Sequence, residues 1–388
     1  MEDDDELGTP SAGFDPSVVR LATLGLSDTG KTCFKLQLLH QDRQPVPKWS
    51  FSKHYFETVS NGLSQLVNHV EEGDRWQDGT WSKDQLSQLI KSVIANGLEG
   101  TGCQKKRVSH HDRAILIEKM WRDYLKPIYK SKKHDLFWSE NLDLLCENAK
   151  SFLSRCRVED FVLTSHKSIG ISSSRVDVEG LGCDIVDVGG TATERSKRWP
   201  HVKNNQQHIL FFTSLSEFHL STWEDLETNR LDLSLSTFQE LLLDDQLSHC
   251  QFTLIFTKPD VLIKMITQEG VPFKSSRLNF EMLPELEGLR SDAHVNVVLN
   301  TIIKKFQTIY NKYRNDMMDY HIVQTISQDE ISQVTQRMFG ATSSAMKIGP
   351  FISPCLSPDN ISFLHKRCDQ YLRGEYNMSF SDLVIKQH

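Results

Sequence analysis

The sequence lacks the two features that would indicate a membrane-spanning protein or a nucleic-acid-binding protein. No apolar run in the 388 residues approaches the roughly 18 residues that a membrane-spanning helix needs. Basic residues are not in excess either, since 44 Lys and Arg are outnumbered by 51 Asp and Glu, giving a formal net charge of −7. Because nucleic acids and anionic lipid surfaces are densely negative, this charge argues against both as the main partner.

The N-terminus lacks a targeting or lipid signal. The segment from Met1 to Glu6 is acidic and has none of the apolar core of a secretory signal. Position 2 is Glu2, whereas N-myristoylation requires glycine there. We therefore expect an acidic disordered arm over residues 1–17 and no N-myristoyl group.

Closely spaced cysteine pairs are also missing. The eight cysteines form no C-x-x-C motif, and Cys33, Cys183 and Cys250 lie beside apolar runs. This pattern favours reduced core thiols over a disulfide framework or a zinc site. We therefore expect a cytoplasmic protein, with peripheral attachment to a membrane through partners as the alternative.

The most informative segment that is present runs from Gly25 to Thr32 and fits the pattern G-x-x-x-x-G-K-[S/T]. In such a loop the backbone N–H groups wrap a polyphosphate, the lysine (here Lys31) reaches the terminal phosphates, and the threonine hydroxyl faces Mg²⁺. A buried strand is predicted before the loop, over residues 18–24, and a helix begins after it. A glycine-bounded turn that matches by chance is the alternative. The flanking strand and helix favour nucleotide binding.

Strand and helix patterns alternate unevenly along the chain. From Phe51 to about Cys156 we find no convincing strand, only helical periodicity. The helices predicted there cover residues 55–70, 82–94, 111–125 and 137–153. Later strands are predicted at residues 175–178, 183–188, 209–212, 252–256 and 321–325, with a long helix over 292–313. This order predicts an α/β fold with a mostly parallel sheet and an inserted all-helical domain.

Three segments, each at the end of a predicted strand, indicate the base and the metal. Asp187 is suited to hold Mg²⁺ through water, and Gly190 to sense a γ-phosphate through its N–H group. The carboxylate of Asp260, in Thr-Lys-Pro-Asp, is suited to accept hydrogen bonds from guanine N1–H and its 2-amino group, which adenine lacks. Ser327 follows the last strand, where a backbone N–H can meet the guanine oxygen. Each motif alone is compatible with a turn, but together they favour guanine over adenine.

From about Leu21 to about Phe339 the chain resembles the α-subunits of heterotrimeric G proteins. The motifs that carry the resemblance are the phosphate loop, the helical insertion that small Ras-like GTPases lack, a stretch similar to switch I over residues 160–171, D-V-G-G-T-A-T-E-R-S-K-R-W over residues 187–199, and T-K-P-D in place of the family's N-K-x-D. The resemblance implies a Ras-like P-loop GTPase domain over residues 18–48 and 157–340. It also implies an inserted helical domain over 49–156 and a divergent C-terminal tail over 341–388.

The resemblance further implies a site for GTP or GDP with Mg²⁺. Thr32 and Ser168 would supply hydroxyls to the metal, and Lys258 would pack its stem along the guanine ring. Thr257 retains one hydroxyl bond but lacks the amide of the family's asparagine, a loss of roughly 1 kcal/mol in affinity. The implied GTP-binding residues are Gly25, Ser27, Asp28, Thr29, Gly30, Lys31, Thr32, Cys33, Ser168, Asp187, Gly190, Thr257, Lys258, Asp260 and Ser327.

The catalytic pair departs from the family, because Ser165 and Thr191 stand where the family has an arginine and a glutamine. A neutral serine cannot replace a guanidinium, whose contribution is of order 10³–10⁵ in rate. Threonine lacks the paired donor and acceptor with which an amide orients water. We interpret the neighbouring His166 as a solvated linker residue and not as a substitute. The sequence therefore predicts very slow GTP hydrolysis and no intact catalytic residue.

The two ends of the chain also depart from the family. Only 24 residues precede Gly25, without helical periodicity, and the segment after Gly340 carries its own short predicted helix over 359–372. The sequence therefore gives little support for a βγ dimer or a receptor as partners. Glu194 and Arg195 are retained, so effector binding through switch II is expected.

Three functions stay open at this point. The first is a divergent transducer that switches between GDP and GTP states. The second is a pseudo-GTPase scaffold that binds GTP with negligible turnover. The third is a P-loop enzyme such as a kinase, which the guanine-reading Asp260 disfavours.

Overall fold

The computed structural model describes residues 18–41, 48–68, 82–99, 106–132, 141–155, 164, 170–178, 181–202, 206–218, 220–222, 228–266 and 292–323. Its main sheet has six strands in the order β4-β5-β1-β6-β7-β8. The strands are β1 (Val19–Gly25), β4 (Ile171–Val178), β5 (Leu181–Val188), β6 (His208–Ser214), β7 (Gln251–Thr257) and β8 (Asp319–Val323). The hairpin of β4 and β5 is antiparallel, and the other neighbouring pairs are parallel. The prediction of an α/β fold with a mostly parallel sheet is confirmed.

Helices connect these strands, as parallel pairing requires. In chain order the α-helices of the described residues are α1 (Lys31–Gln41), α2 (Lys48–Asn68), α3 (Lys83–Leu89), α4 (His110–Met120), α5 (Lys126–Lys132), α6 (Leu142–Glu147), α7 (Ala149–Arg155), α8 (Ala192–Lys197), α9 (Trp199–Val202), α10 (Arg230–Leu242), α11 (Pro259–Lys264) and α12 (Asp292–Tyr313). A π-helical segment extends each of two helices: Ile90–Ala95 continues α3, and Trp121–Leu125 continues α4. None of the helices that are described is both long and apolar enough to cross a membrane.

Both faces of the sheet are covered, and β6 shows how the sequence achieves this. Phe211 and Phe212 are consecutive, so their side chains point to opposite faces. Phe211 packs in a cluster with Phe238 of α10 and Phe306 of α12, whereas Phe212 packs edge-on against Phe34 of α1. Continuous apolar runs such as this one are typical of parallel strands that are buried on both sides.

The helices from α2 to α7 bury a hydrophobic cluster of their own. Tyr55 and Trp121 lie at its centre, and the Tyr55 hydroxyl donates to the carbonyl oxygen of Leu145 over 2.7 Å. Gly62 lets α2 approach α6 closely, since a Cβ there would lie 2.6 Å from a methyl carbon of Leu142. The predicted domain limits at residues 49 and 156 stay a prediction.

Two expectations about strands were wrong in detail. The helical region is not free of strands, because β2 (Leu98–Glu99) and β3 (Lys106–Arg107) form a short antiparallel ladder. Two-residue strands are too short to show the alternation by which strands are predicted. In addition, β4 begins at Ile171, before the predicted start at residue 175, because its first residues form ladder pairs with β5 while their side chains stay exposed.

Candidate nucleotide site

The candidate site lies where β1, β5, β6 and β7 end, at the carboxyl edge of the sheet. The loop from Gly25 to Gly30 leaves the central strand β1 there and leads into α1. Gly25 has a φ of +136°, and a Cβ at this position would lie 2.3 Å from the carbonyl oxygen of Phe212. Gly30 has a φ of +90°, and Asp28 has a φ of +60°. The first glycine of the motif is therefore required both by its backbone angle and by the neighbouring strand.

Lys31 points back over this loop. Its ammonium group donates to the carbonyl oxygens of Gly25, over 3.0 Å, and of Leu26. The residue is only 4% exposed. Burial lowers the pKa of Lys31 to about 8, and the nearby carboxylate of Asp187 opposes this shift. A buried cation held by neutral carbonyls at a phosphate loop favours the arrival of an anion.

Asp187, the second-last residue of β5, connects this strand to the loop and to β1. Its Oδ1 accepts a hydrogen bond from the Thr23 hydroxyl over 3.0 Å, and its Oδ2 accepts one from the Thr32 hydroxyl over 3.1 Å. The carboxylate is 2% exposed. The Thr32 hydroxyl and the Asp187 carboxylate, two groups that the sequence predicted to lie near the metal ion, thus meet beside the phosphate loop.

Gly190 lies directly against the phosphate loop. A Cβ at this position would be 2.4 Å from the carbonyl carbon of Leu26 and 2.5 Å from the amide nitrogen of Ser27. These atoms are backbone, so they cannot move aside as a side chain could. Only glycine fits at this position, and the close approach brings the segment after β5 to the place where phosphates would bind.

Thr191 has a structural role that sequence reasoning missed. It is the N-cap of α8, and its hydroxyl oxygen accepts a hydrogen bond from the amide of Glu194. Glu194 in turn accepts a hydrogen bond from the amide of Gly170 over 2.9 Å, and Arg195 donates to the carbonyl oxygen of Gly190 over 2.9 Å. Trp199 anchors the same segment by donating to the Gly189 carbonyl oxygen over 3.1 Å.

Thr257, the last residue of β7, is fully buried and faces the phosphate loop. Its hydroxyl lies 2.9 Å from the carbonyl oxygen of Thr29 and 3.3 Å from that of Thr213, so a single donor is shared between two acceptors. Lys258 follows in the left-handed region with a φ of +60°, and Asp260 lies in the first turn of α11. The segment predicted to read the base is therefore hydrogen-bonded to the segment predicted to hold the phosphates.

Sequence reasoning missed a buried ion network between these two segments. Glu217, in the 3-10 turn after β6, lies 2.6 Å from Nε of Arg230 and 3.6 Å from Nζ of Lys258. Arg230 also donates to the carbonyl oxygen of Ser27 over 2.7 Å. A glutamate inside the otherwise uncharged run from Ile209 to Phe218 was the available signal, since a buried carboxylate needs a cationic partner.

Most of the predicted site residues lie together in the structure, and three others lie outside the described residues. Cys33 lies half-buried in the first turn of α1. Ser165, Ser168 and Ser327 lie outside the described residues, as do the N-terminal arm and the tail from residue 341. Within the described part of the chain, no group of three or more His, Cys, Asp or Glu side chains is arranged to hold a metal ion. The roles predicted for individual residues in nucleotide binding stay predictions.

A family model described as the G-protein alpha subunit matches residues 8–341 of the chain. The chain belongs to the G-protein alpha-subunit family. The resemblance inferred from the motifs is thereby confirmed, and with it the Ras-like α/β fold class.

Three relatives of this G-protein alpha subunit show low sequence identity to it. The guanine nucleotide-binding protein alpha-7 subunit of Caenorhabditis elegans is 24% identical over 324 residues, which cover 79% of this chain and 83% of the relative. The alpha-13 subunit of Mus musculus is 25% identical over 281 residues, or 68% of this chain and 71% of the relative. The alpha-8 subunit of Caenorhabditis elegans is 21% identical over 327 residues, or 82% of this chain and 84% of the relative.

Proposed function

We propose that this G-protein alpha subunit binds GTP and GDP with Mg²⁺ and acts as a signal transducer that switches between the two nucleotide states. The observation that carries the proposal is the hydrogen bond between Thr32 and Asp187 beside the buried ammonium of Lys31. Lysine, hydroxyl and carboxylate are the groups that P-loop proteins use for the terminal phosphates and their metal ion.

The residues present fit Mg²⁺. The Thr32 hydroxyl and, in this proposal, the Ser168 hydroxyl would be ligands, and Asp187 would hold the ion through water. Mg²⁺ is usually bound by one or two carboxylates with phosphates and water, so it does not need a cage of acidic side chains. When bound, the ion would supply positive charge that offsets part of the negative charge of the phosphates.

Guanine recognition would depend on Asp260. Its position in the first turn of α11, after the buried end of β7, supports a role as acceptor for the two guanine N–H donors. Thr257 would act indirectly by holding the Thr29 carbonyl, and Lys258 would lie along the ring. The backbone of Ser327 would complete the base site.

The switch would operate through Gly190 and α8. A γ-phosphate at the loop would be sensed by the backbone of Gly190, which lies against Leu26 and Ser27. The segment that responds is tied to the end of switch I by the bond from Gly170 to Glu194. An effector that binds α8 would thus detect the nucleotide state. The sequence gives no comparable support for a βγ dimer or a receptor, and a cytoplasmic location also stays a prediction.

Hydrolysis is proposed to be very slow. Thr191 stands where the family has its catalytic glutamine, and its hydroxyl is engaged as the cap of α8. Ser165 offers no positive charge for the transition state. A pseudo-GTPase scaffold with negligible turnover is therefore the second candidate, and the engaged Thr191 hydroxyl is the observation that favours it.

Native mass spectrometry of the purified chain, followed by timed hydrolysis of added GTP, tests both candidates. We expect bound guanine nucleotide and turnover well below that of ordinary family members. GTP that persists for hours would identify the pseudo-GTPase. Hydrolysis at a rate usual for the family would refute slow turnover, and failure to bind guanine nucleotide would refute the proposed function.

A further inference from the structure

Glu217 lies between the two halves of the candidate site. Its carboxylate is buried, with a side chain that is 4% exposed, and its two oxygens face different partners. Oε2 contacts Nε of Arg230 over 2.6 Å, and Oε1 lies 3.6 Å from Nζ of Lys258. One carboxylate is therefore shared between two cations that belong to different segments of the chain.

Arg230 extends this contact to the phosphate loop. Its Nη2 donates to the carbonyl oxygen of Ser27 over 2.7 Å, while its Nε is held by Glu217. The guanidinium is a rigid fork, so fixing one edge also fixes the direction of the other. The carboxylate thereby acts on the phosphate loop without touching it.

The start of α10 is itself held in place, which keeps Arg230 in position. Asn229 caps the helix with Oδ1, which accepts from the amides of Leu231 and Asp232, and its Nδ2 donates to the Phe218 carbonyl oxygen over 2.9 Å. The amide of Arg230 donates to the carbonyl oxygen of Leu220 over 2.8 Å. The amide of Leu220 in turn donates to the carbonyl oxygen of Glu217 over 3.2 Å, so hydrogen bonds to the backbone join the segments that carry Glu217 and Arg230.

We propose that Glu217 is a positioning residue for nucleotide binding, which holds Lys258 at the base and, through Arg230, the Ser27 carbonyl at the phosphates. The proposal rests on the proposed guanine-nucleotide function. Because both contacts meet in one carboxylate, loss of its charge affects the base half and the phosphate half of the ligand together. Loss of Arg230 affects the phosphate half alone.

The test compares affinities for GMP and GDP, measured by titration calorimetry with Mg²⁺ on the full chain. The GMP affinity reports mainly the base half, and the ratio of GDP to GMP affinity reports the phosphate loop. For Glu217→Gln we expect the GMP affinity and this ratio each to fall roughly tenfold, because the amide keeps the shape of the side chain but loses the charge that attracts Lys258 and Arg230. A change of roughly tenfold is the usual size of one interaction with a charged group. Arg230→Gln should lower the ratio while the GMP affinity stays within about twofold, a margin small beside the effect of one hydrogen bond.

Glu240→Gln is the matched control, since Glu240 is an exposed carboxylate on α10. Binding stoichiometry at saturating GDP corrects for any unfolded fraction, which would scale both affinities without changing their ratio. If Glu217→Gln does not fold, Glu217→Asp retains the charge but shortens the side chain by one C–C bond, about 1.5 Å. It should still reach Arg230 and lose Lys258, so only its GMP affinity should fall.

The outcomes separate this role from the proposed function. The positioning role alone is refuted if the wild type binds both nucleotides and Glu217→Gln has the same GMP and GDP affinities as the control Glu240→Gln. The same holds for Glu217→Asp where it is used in place of Glu217→Gln. Suppose instead that Glu217→Gln lowers the ratio of GDP to GMP affinity but leaves the GMP affinity unchanged. This result would also refute the positioning role, because Lys258 would then be independent of Glu217. A wild-type chain that binds neither nucleotide refutes the proposed function and the positioning role with it.

Discussion

The hydroxyl of Thr32 donates to Oδ2 of Asp187 over 3.1 Å, although the two residues are 155 positions apart in the sequence. The contact joins the phosphate loop to the end of β5, because β1 and β5 are parallel neighbours in the sheet. The contact therefore brings the two motifs recognised in the sequence together in the candidate site.

Asp187→Asn is expected to weaken the Mg²⁺ dependence of GTP binding. The amide keeps the shape of the side chain but loses the negative charge, and substitutions of groups that support metal ligands typically cost about 10–100-fold in metal affinity. The measurement is GTP affinity over a Mg²⁺ titration. Asp184→Asn, in the same strand, is the control, and an unchanged Mg²⁺ midpoint for Asp187→Asn would contradict the assignment.

Gly190→Ala is expected to prevent the response to a γ-phosphate. Its Cβ would overlap the backbone of Leu26 and Ser27, so the segment must move away from the phosphate loop. In the wild type, a non-hydrolysable GTP analogue should protect the bonds after Arg195 and Arg198 from trypsin, and in Gly190→Ala it should not. Gly182→Ala is the control, because a Cβ there meets side-chain atoms no closer than 3.4 Å. Equal protection in both variants would refute the prediction.

Thr257→Val tests whether the shared hydroxyl supports the phosphate loop. Valine has a similar shape but no donor, so the buried carbonyl oxygens of Thr29 and Thr213 lose a partner at a cost of about 1–3 kcal/mol. Chemical denaturation should show lower stability for Thr257→Val than for Thr257→Ser, which keeps the hydroxyl. GDP should also dissociate faster from the valine variant. Two variants of equal stability and equal GDP release would argue against this role.

Acid should destabilise the sheet through His208, the first residue of β6. Burial lowers the pKa of His208 below its ordinary value of 6.5. As the pH falls through 6.5, the unfolded state takes up a proton that the folded state resists, so the free energy of unfolding decreases. Well above pH 6.5 the residue is neutral in both states and its contribution to stability is complete.

His208→Gln should therefore lose less stability than the wild type between pH 7.5 and 5.5, as followed by urea denaturation. Burial also lowers the pKa values of His54 and His110, so the wild-type slope is a sum and only the difference isolates His208. Exchange of the exposed His201 for glutamine is the matched control. Identical slopes for the three proteins would overturn the prediction.

Combining Ser165→Arg with Thr191→Gln should accelerate GTP hydrolysis. An arginine supplied in cis or in trans is worth about 10³–10⁵ in rate, and the amide restores a group able to orient water. Single-turnover assays should show a gain for the double variant that exceeds the product of the single variants. A double variant that hydrolyses GTP no faster than the wild type would mean that other features limit the reaction.

The phosphate loop, its strand and the alternating order of the sheet were predictable because they depend on local periodicity and on glycine positions. Glu217 was not predicted, because a single buried carboxylate has no periodic signature and its partners come from segments distant in the sequence. The cap formed by Thr191 was missed for a different reason. The residue was read against the family's catalytic position, although threonine followed three residues later by glutamate is itself a helix-start signal. The ladder of β2 and β3 was too short to be recognised.

The cap at Thr191 also sets a stability cost for placing glutamine at this position. Its hydroxyl holds the amide of Glu194, and replacing an N-cap threonine by a residue without a capping oxygen typically costs about 1 kcal/mol. Glutamine at position 191 should therefore loosen the first turn of α8, the same turn whose Glu194 and Arg195 contact Gly170 and Gly190. Any effect of a substitution at position 191 on hydrolysis is thus coupled to the order of the segment that an effector would contact.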